Sequence, residues 1–276
     1  MTVVFRSHKA TPLDYPSLQA QWMDWITDLI SGVPPKVPPF HQINHKINLV
    51  DPNKCINYQL PKCPDTLKEE LAEKISQYTS AGWWVPARVC QAIPMPCVLE
   101  KNGKLRTVFD LRQQNNNTEN DVLPFPDQDT IHHNVACAPF RSKLDMSEVY
   151  EQICVRPEDI PKMAFATIFD TFVSLVMQQG DCNAPSTFQR LKMAVFREYI
   201  ARFIHVYLDD IFIFSSTIEE YQKHLAMVFN KLCEAQLYLS QDKVNLYLQS
   251  MACLAHIISD RGIHTDTEKM QKIQDW

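Results

Sequence analysis

Two adjacent carboxylates, Asp209 and Asp210, stand between Phe203-Ile204-His205-Val206-Tyr207 and Ile211-Phe212-Ile213-Phe214, apolar runs that predict two short strands joined at a tight turn. Neighbouring carboxylates repel by about 1 kcal/mol at ~4 Å in bulk water, and by roughly 4 kcal/mol at the effective dielectric near a protein surface. A divalent cation removes that cost, so the pair points to a metal site. The competing explanation is that aspartates tolerate turn conformations and here simply close a hairpin.

The chain that must position these acids has 276 residues and 45% hydrophobic content, enough for one large domain or two lobes around a substantial core. Its nine cysteines show no C-x-x-C pair and no Cys/His cluster at zinc spacing, which fits reduced thiols in an intracellular protein that is not secreted. No apolar stretch approaches the ~20 residues that span a bilayer, and the N-terminus lacks the apolar core of a signal peptide. A net charge of -5 argues against binding nucleic acid through bulk positive charge, while leaving room for a local basic groove.

Residues 1–64 are proline-rich, with Pro34-Pro35-Lys36-Val37-Pro38-Pro39 favouring extended geometry, and predict an N-terminal arm. Within it, Leu18, Trp22, Ile26 and Leu29 share one face of a helix over 17–31 with Ser17 as its cap, which makes the tryptophans packing residues. Thr66-Leu67-Lys68-Glu69 is a capping box opening a helix that Gly82 ends. Val98 to Gln114 predicts a hairpin, with Cys97-Val98-Leu99-Glu100 and Leu105-Arg106-Thr107-Val108-Phe109-Asp110 flanking the turn Lys101-Asn102-Gly103-Lys104, and Gln113 to Asn120 a loop. Ser142-Lys143-Leu144-Asp145 ends a strand, and a helix is expected from Ser147. A longer helix over 186–200 buries Phe188, Leu191, Val195 and Tyr199. Thr217-Ile218-Glu219-Glu220 caps a helix through about Leu237, a last hairpin turns at Asp260-Arg261-Gly262, and another helix begins near Thr267.

Across about residues 37–276 these blocks resemble the reverse transcriptases of gypsy-type long-terminal-repeat retrotransposons. Tyr207-Leu208-Asp209-Asp210 is similar to the Tyr/Phe-x-Asp-Asp hairpin. Lys143-Leu144-Asp145-Met146-Ser147-Glu148-Val149-Tyr150-Glu151-Gln152-Ile153 is similar to the Leu-Asp-Leu-x-Ser-Ala-Tyr-x-Gln-Ile block. Asn183-Ala184-Pro185-Ser186-Thr187-Phe188-Gln189-Arg190 resembles the Asn-Ala-Pro-x-Thr-Phe-Gln block. Gly103 to Arg112 resembles the fingers hairpin, and Val122-Leu123-Pro124-Phe125-Pro126 the proline segment after it.

The resemblance implies an α+β right-hand polymerase with an antiparallel palm sheet backed by helices, a reverse transcriptase domain over 65–276, fingers over about 65–140 and palm over about 141–265. It implies an RNA-directed DNA polymerase that joins dNTPs to a primer on an RNA or DNA template, with no membrane partner. Asp145, Asp209 and Asp210 would be the palm carboxylates holding two Mg²⁺ ions, for which Mn²⁺ can substitute. Alone, Asp145 reads as a helix cap or strand-end acid. Tyr150 would lie under the incoming sugar and exclude a 2′-hydroxyl, although tyrosines at helix starts also fill cores. Lys101 and Arg106 would grip the triphosphate, and Gln179 would pack against the nucleotide; each alone reads as solvated surface.

Three departures stand against the pattern: Val149 for a small residue, Asp181-Cys182 after Gly180, and Glu100-Lys101-Asn102-Gly103 in place of Lys-Lys-Asp-Gly. A β-branched Val149 beside the nucleotide is expected to crowd the site. Thumb, ribonuclease H and integrase motifs are not found within the 276 residues. An inactive retroelement remnant that at most binds nucleic acid is therefore the alternative to an active polymerase, with an unrelated metal-dependent nuclease or phosphotransferase third.

Overall fold

The computed structural model describes residues 14–55, 59–100, 103–259 and 262–265. Two helices open it, α1 (Tyr15–Trp25) and α2 (Thr27–Ile30), where one was expected. The Asp14 carboxylate accepts from the Ser17 amide at 3.3 Å, so the cap is Asp14 rather than Ser17, with Pro16 in the first turn. The predicted stripe does face inward: Ile26 and Leu29 are buried, Leu18 and Trp22 pack beside them, and Trp22 Nε1 donates to Tyr247 OH at 3.0 Å. The proline-rich stretch that follows is strapped to the body. Trp83 Nε1 donates to the Lys36 carbonyl at 2.8 Å, and His45 exchanges backbone bonds with Cys154 and Arg156, each 2.9 Å.

Helix α3 (Lys68–Ser80) starts without the expected capping box, because Asp65–Leu67 winds as a 3₁₀ turn that buries Leu67 and pairs Asp65 with Lys68. Gly82, at φ +75°, ends it as predicted. Strands β1 (Trp84–Pro86), β2 (Ile93–Pro94), β3 (Cys97–Leu99) and β4 (Leu105–Thr107) follow. β3 and β4 form the expected hairpin with Val98 opposite Arg106, but Lys101 at its turn lies outside the described residues. The stretch read as a loop contains a short helix, α4 (Arg112–Asn115).

Next come α5 (Gln128–Cys137), β5 (Phe140–Asp145), β6 (Ala164–Ala166), β7 (Thr171–Ser174) and α6 (Ala184–Val195), then β8 (Ile204–Tyr207), β9 (Asp210–Ser215) and α7 (Ile218–Ala235). The chain closes with β10 (Ser250–Cys253), β11 (His256–Ser259) and β12 (Gly262–Thr265); the turn at residues 260–261 and the helix expected from Thr267 lie outside the described residues. The expected helix at Ser147 is not there. Residues 147–152 make turns with Glu148 at φ +37°, because Gln152 ties the segment to Tyr238, donating to its carbonyl at 3.1 Å and accepting from its amide at 2.7 Å.

Strands order as β1-β7-β6-β2, with only β2 and β6 parallel, and as the antiparallel sheets β5-β9-β8, β3-β4 and β10-β11-β12. α7 has the pattern that lets a helix back a sheet. Thr217 Oγ1 caps it by accepting from the Glu220 amide at 3.2 Å, and Tyr221, Leu225, Val228, Phe229 and Leu232 are buried at helical spacing. Each such side chain contributes about 1.5–3 kcal/mol of transfer free energy. Together with α1, α2 and α6 it forms the main core against Leu144, Ile211 and Ile213 of the β5-β9-β8 sheet.

Candidate active site

The β5-β9-β8 sheet delivers the acids. Asp145 ends β5 directly opposite Asp210, which starts β9, and Tyr207 pairs with Asp210 across the turn Leu208-Asp209. A two-residue hairpin turn asks for positive φ, here supplied by Leu208 at +47° rather than by glycine. Gln189 on α6 holds that conformation: its Oε1 accepts from the Leu208 amide at 2.8 Å and its Nε2 donates to the Val206 carbonyl at 3.0 Å. Gln189 is fully buried, so both bonds are shielded from water.

Two of the acids are paired with a lysine. Lys243 Nζ lies 3.2 Å from Asp145 Oδ2, and Lys143 Nζ lies 2.8 Å from Asp210 Oδ2. Behind Asp209 stands Lys192 of α6, with no exposed surface, no hydrogen-bond partner on Nζ, and the Phe188 ring 4.6 Å away. Burial pulls the Lys192 ammonium down from 10.5 to about 7, against the attraction of Asp209, Asp210 and Asp145. Asp209 shifts up, chiefly through burial; Lys192 opposes that shift while the charges of Asp145 and Asp210 add to it.

Among the described residues, no group of three or more His, Cys, Asp or Glu side chains is gathered as a metal cluster, so the three acids are not a closed ligand set in this conformation. Their chemistry nevertheless fits a hard divalent cation: every donor is a carboxylate oxygen, and ammonium groups already sit on two of the three.

The expected nucleotide residues separate into two places. Arg106 and Gln179 line one cavity of about 420 Å³, walled by Lys74, Tyr78 and Glu151. Tyr78 OH donates to Glu151 Oε1 at 3.1 Å, and burial raises the Glu151 carboxyl. Tyr150 lies half-buried near the acids, its hydroxyl pushed up by burial and then by the Asp209 charge. Val149 is 8% exposed and belongs to the main core, against which Tyr150 also packs. Asp181 is also internal, its Oδ2 3.4 Å from His45 Nε2. Sequence reasoning assigned no role to Gln189, Lys192, Lys143 or Lys243. The usable signal was a glutamine and a lysine on the apolar face of α6.

Such a sheet, with three acids at one end and helices packed behind it, is of the fingers-and-palm class of right-hand polymerases. Residues 98–271 match the family model described as "Reverse transcriptase (RNA-dependent DNA polymerase)". The chain is 33% identical over 203 residues to the retrovirus-related Pol polyprotein from transposon 297 of Drosophila melanogaster, covering 74% of this chain and 18% of that one. It is 31% identical over 201 residues to the corresponding polyprotein from transposon gypsy of the same fly, covering 73% and 19%. Among solved structures, the foamy viral protease-reverse transcriptase in complex with dsDNA superposes with a TM-score of 0.79 at 21% identity, over 94% of this chain and 54% of that one. The chain belongs to the reverse transcriptase family, within its retrotransposon branch. It spans under a fifth of the length of the curated relatives it matches.

Proposed function

We propose that this chain is the fingers and palm of an RNA-directed DNA polymerase, with fingers over about residues 65–140 and palm over about 141–265, which adds dNTPs to a primer paired with an RNA or DNA template. The observation that carries this reading is that Asp145, Asp209 and Asp210 lie at one end of a single sheet, two of them ion-paired with a lysine. Asp145, Asp209 and Asp210 would hold two Mg²⁺ ions, which when bound acidify the primer 3′-hydroxyl and neutralise charge on the triphosphate.

The chain's own residues do the rest. Gln189 fixes the Leu208-Asp209 turn, so Asp209 is held in place before substrate arrives. Lys143 and Lys243 pair with Asp210 and Asp145 and would have to give up those carboxylate oxygens to a divalent cation. Arg106 offers a guanidinium to phosphate oxygens from the wall of the cavity it shares with Gln179. Tyr150 would close the sugar side and select deoxynucleotides by exclusion, and Lys101 would add a second cation for the triphosphate. The test is single-nucleotide incorporation on a primed RNA template with Mg²⁺, comparing the parent with Asp209→Asn and checking both by circular dichroism. Extension by the parent and its loss in a folded variant supports the reading; equal extension by both refutes the assignment of Asp209.

A further inference from the structure

A second cavity, also about 420 Å³, lies between the strap at Leu49 and Pro52, the loop at Val89, and α4. It shares no lining residue with the cavity of Arg106 and Gln179 and includes none of the three acids. Its volume falls in the range of small-ligand sites, roughly 300–1,000 Å³. Most of its wall is apolar, and one wall carries Gln114.

Gln114 is the unusual feature. It is 3% exposed, yet neither its Oε1 nor its Nε2 has a hydrogen-bond partner. Asn117, close by on the same wall, shows what a satisfied amide looks like here: it accepts from the Asp51 amide at 3.1 Å and donates to the Asp51 carbonyl at 2.8 Å. A buried amide with both ends unpaired is costly and demands a partner presenting an acceptor beside a donor. Lys54 and Arg88 stand exposed at the rim, and among the described residues neither makes an ion pair. Lys162 is already committed, donating to the Ile47 carbonyl at 2.7 Å and pairing with Asp159.

The occupant these groups select has flat apolar faces, an edge with adjacent donor and acceptor, and an anionic tail. An amide side chain reads adenine in just this way, through the exocyclic amine and the neighbouring ring nitrogen. We propose that this cavity is an adenine-nucleotide site, separate from the polymerase centre, in which Gln114 takes the base edge while Lys54 and Arg88 hold the phosphate. A free adenine nucleotide and an unpaired adenine of a single strand present the same chemistry. Occupancy bears on the other cavity through α4, because Asn115 donates to the Gly180 carbonyl at 2.9 Å and accepts from the Cys182 amide at 3.0 Å, beside Gln179.

The test is calorimetric titration of the whole chain with adenosine 5′-monophosphate, uridine 5′-monophosphate and inorganic phosphate, alongside filter binding of short oligo(dA) and oligo(dT). Saturable binding of the adenine nucleotide, at least about tenfold tighter than the uridine nucleotide, is expected of the parent chain. Gln114→Leu should abolish that preference while melting at the parent temperature or above, since it removes an unpaired buried amide. Lys54→Ala with Arg88→Ala should weaken the nucleotide but not adenosine, and Arg106→Ala, in the other cavity, should leave it bound. Binding of the mononucleotide alone identifies a free nucleotide as the source; a preference for oligo(dA) over oligo(dT) with little mononucleotide binding identifies a strand. Absence of binding by either, equal binding of adenine and uridine nucleotides, or an unchanged preference in Gln114→Leu overturns the proposal.

Discussion

Lys192→Met replaces a buried ammonium with an unbranched apolar chain of similar length, and the structure fixes the sign of its effect. In the unfolded chain the lysine titrates at its ordinary 10.5; in the fold it titrates near 7, because burial opposes the charge more than Asp209, Asp210 and Asp145 favour it. The unfolded state therefore binds more protons between about pH 7 and 10.5, and stability rises with pH across that window. The penalty is fully expressed below about pH 7. At about 1.36 kcal/mol per pH unit, the interval from 10.5 to about 7 sets a ceiling of about 5 kcal/mol. Replacing buried charges with packed apolar groups stabilises measured proteins by about 1–4 kcal/mol, so an increase of about 2 kcal/mol is expected at pH 6.5. Urea denaturation of parent and Lys192→Met, with a chelator and at pH 6.5, 8 and 9.5, measures it. The gap should narrow as pH rises. A variant less stable than the parent at pH 6.5 would show that the three carboxylates hold the ammonium at a profit, and the argument from burial would be wrong.

Tyr150→Ala should raise the use of ribonucleotides relative to deoxynucleotides, read as a ratio of kcat/KM values; an unchanged ratio returns Tyr150 to an ordinary packing role. Gln189→Leu leaves the Leu208 amide and the Val206 carbonyl without their partner. It should cost about 2–3 kcal/mol in denaturant unfolding and slow incorporation more than it weakens nucleotide binding, whereas a variant with parental kinetics would sink the positioning role. Ala255→Gly relieves a non-glycine residue at φ +72° between β10 and β11. The left-handed penalty of about 1–2 kcal/mol, less the entropy glycine adds to the unfolded chain, predicts a gain of about 0.5 kcal/mol and a small rise in Tm.

The strands and helices that carry the acids were legible because their patterns are strong and local. The apolar runs on either side of Asp209-Asp210, the Thr217 cap and the stripe from Tyr221 to Leu232 each point to one structure, and that structure forms. Where tertiary contacts outbid local preference, the reading failed. Thr66-Leu67-Lys68-Glu69 loses its capping box to a 3₁₀ turn that buries Leu67, and Ser147 starts no helix because Gln152 binds the segment to Tyr238, 86 positions away. Separation in sequence also hid Lys243: it stands 98 positions from Asp145, and only the fold brings them together.

Asp145, Asp209 and Asp210 together are proposed as a divalent-cation site serving nucleotide addition. Anomalous scattering from crystals grown with primer-template, a non-hydrolysable dNTP analogue and Mn²⁺ tests it most directly. Peaks within coordination distance of all three carboxylates, with Lys143 and Lys243 displaced from Asp210 and Asp145, are predicted. Bound analogue with no peak at these acids, and the two lysine pairs intact, would contradict it.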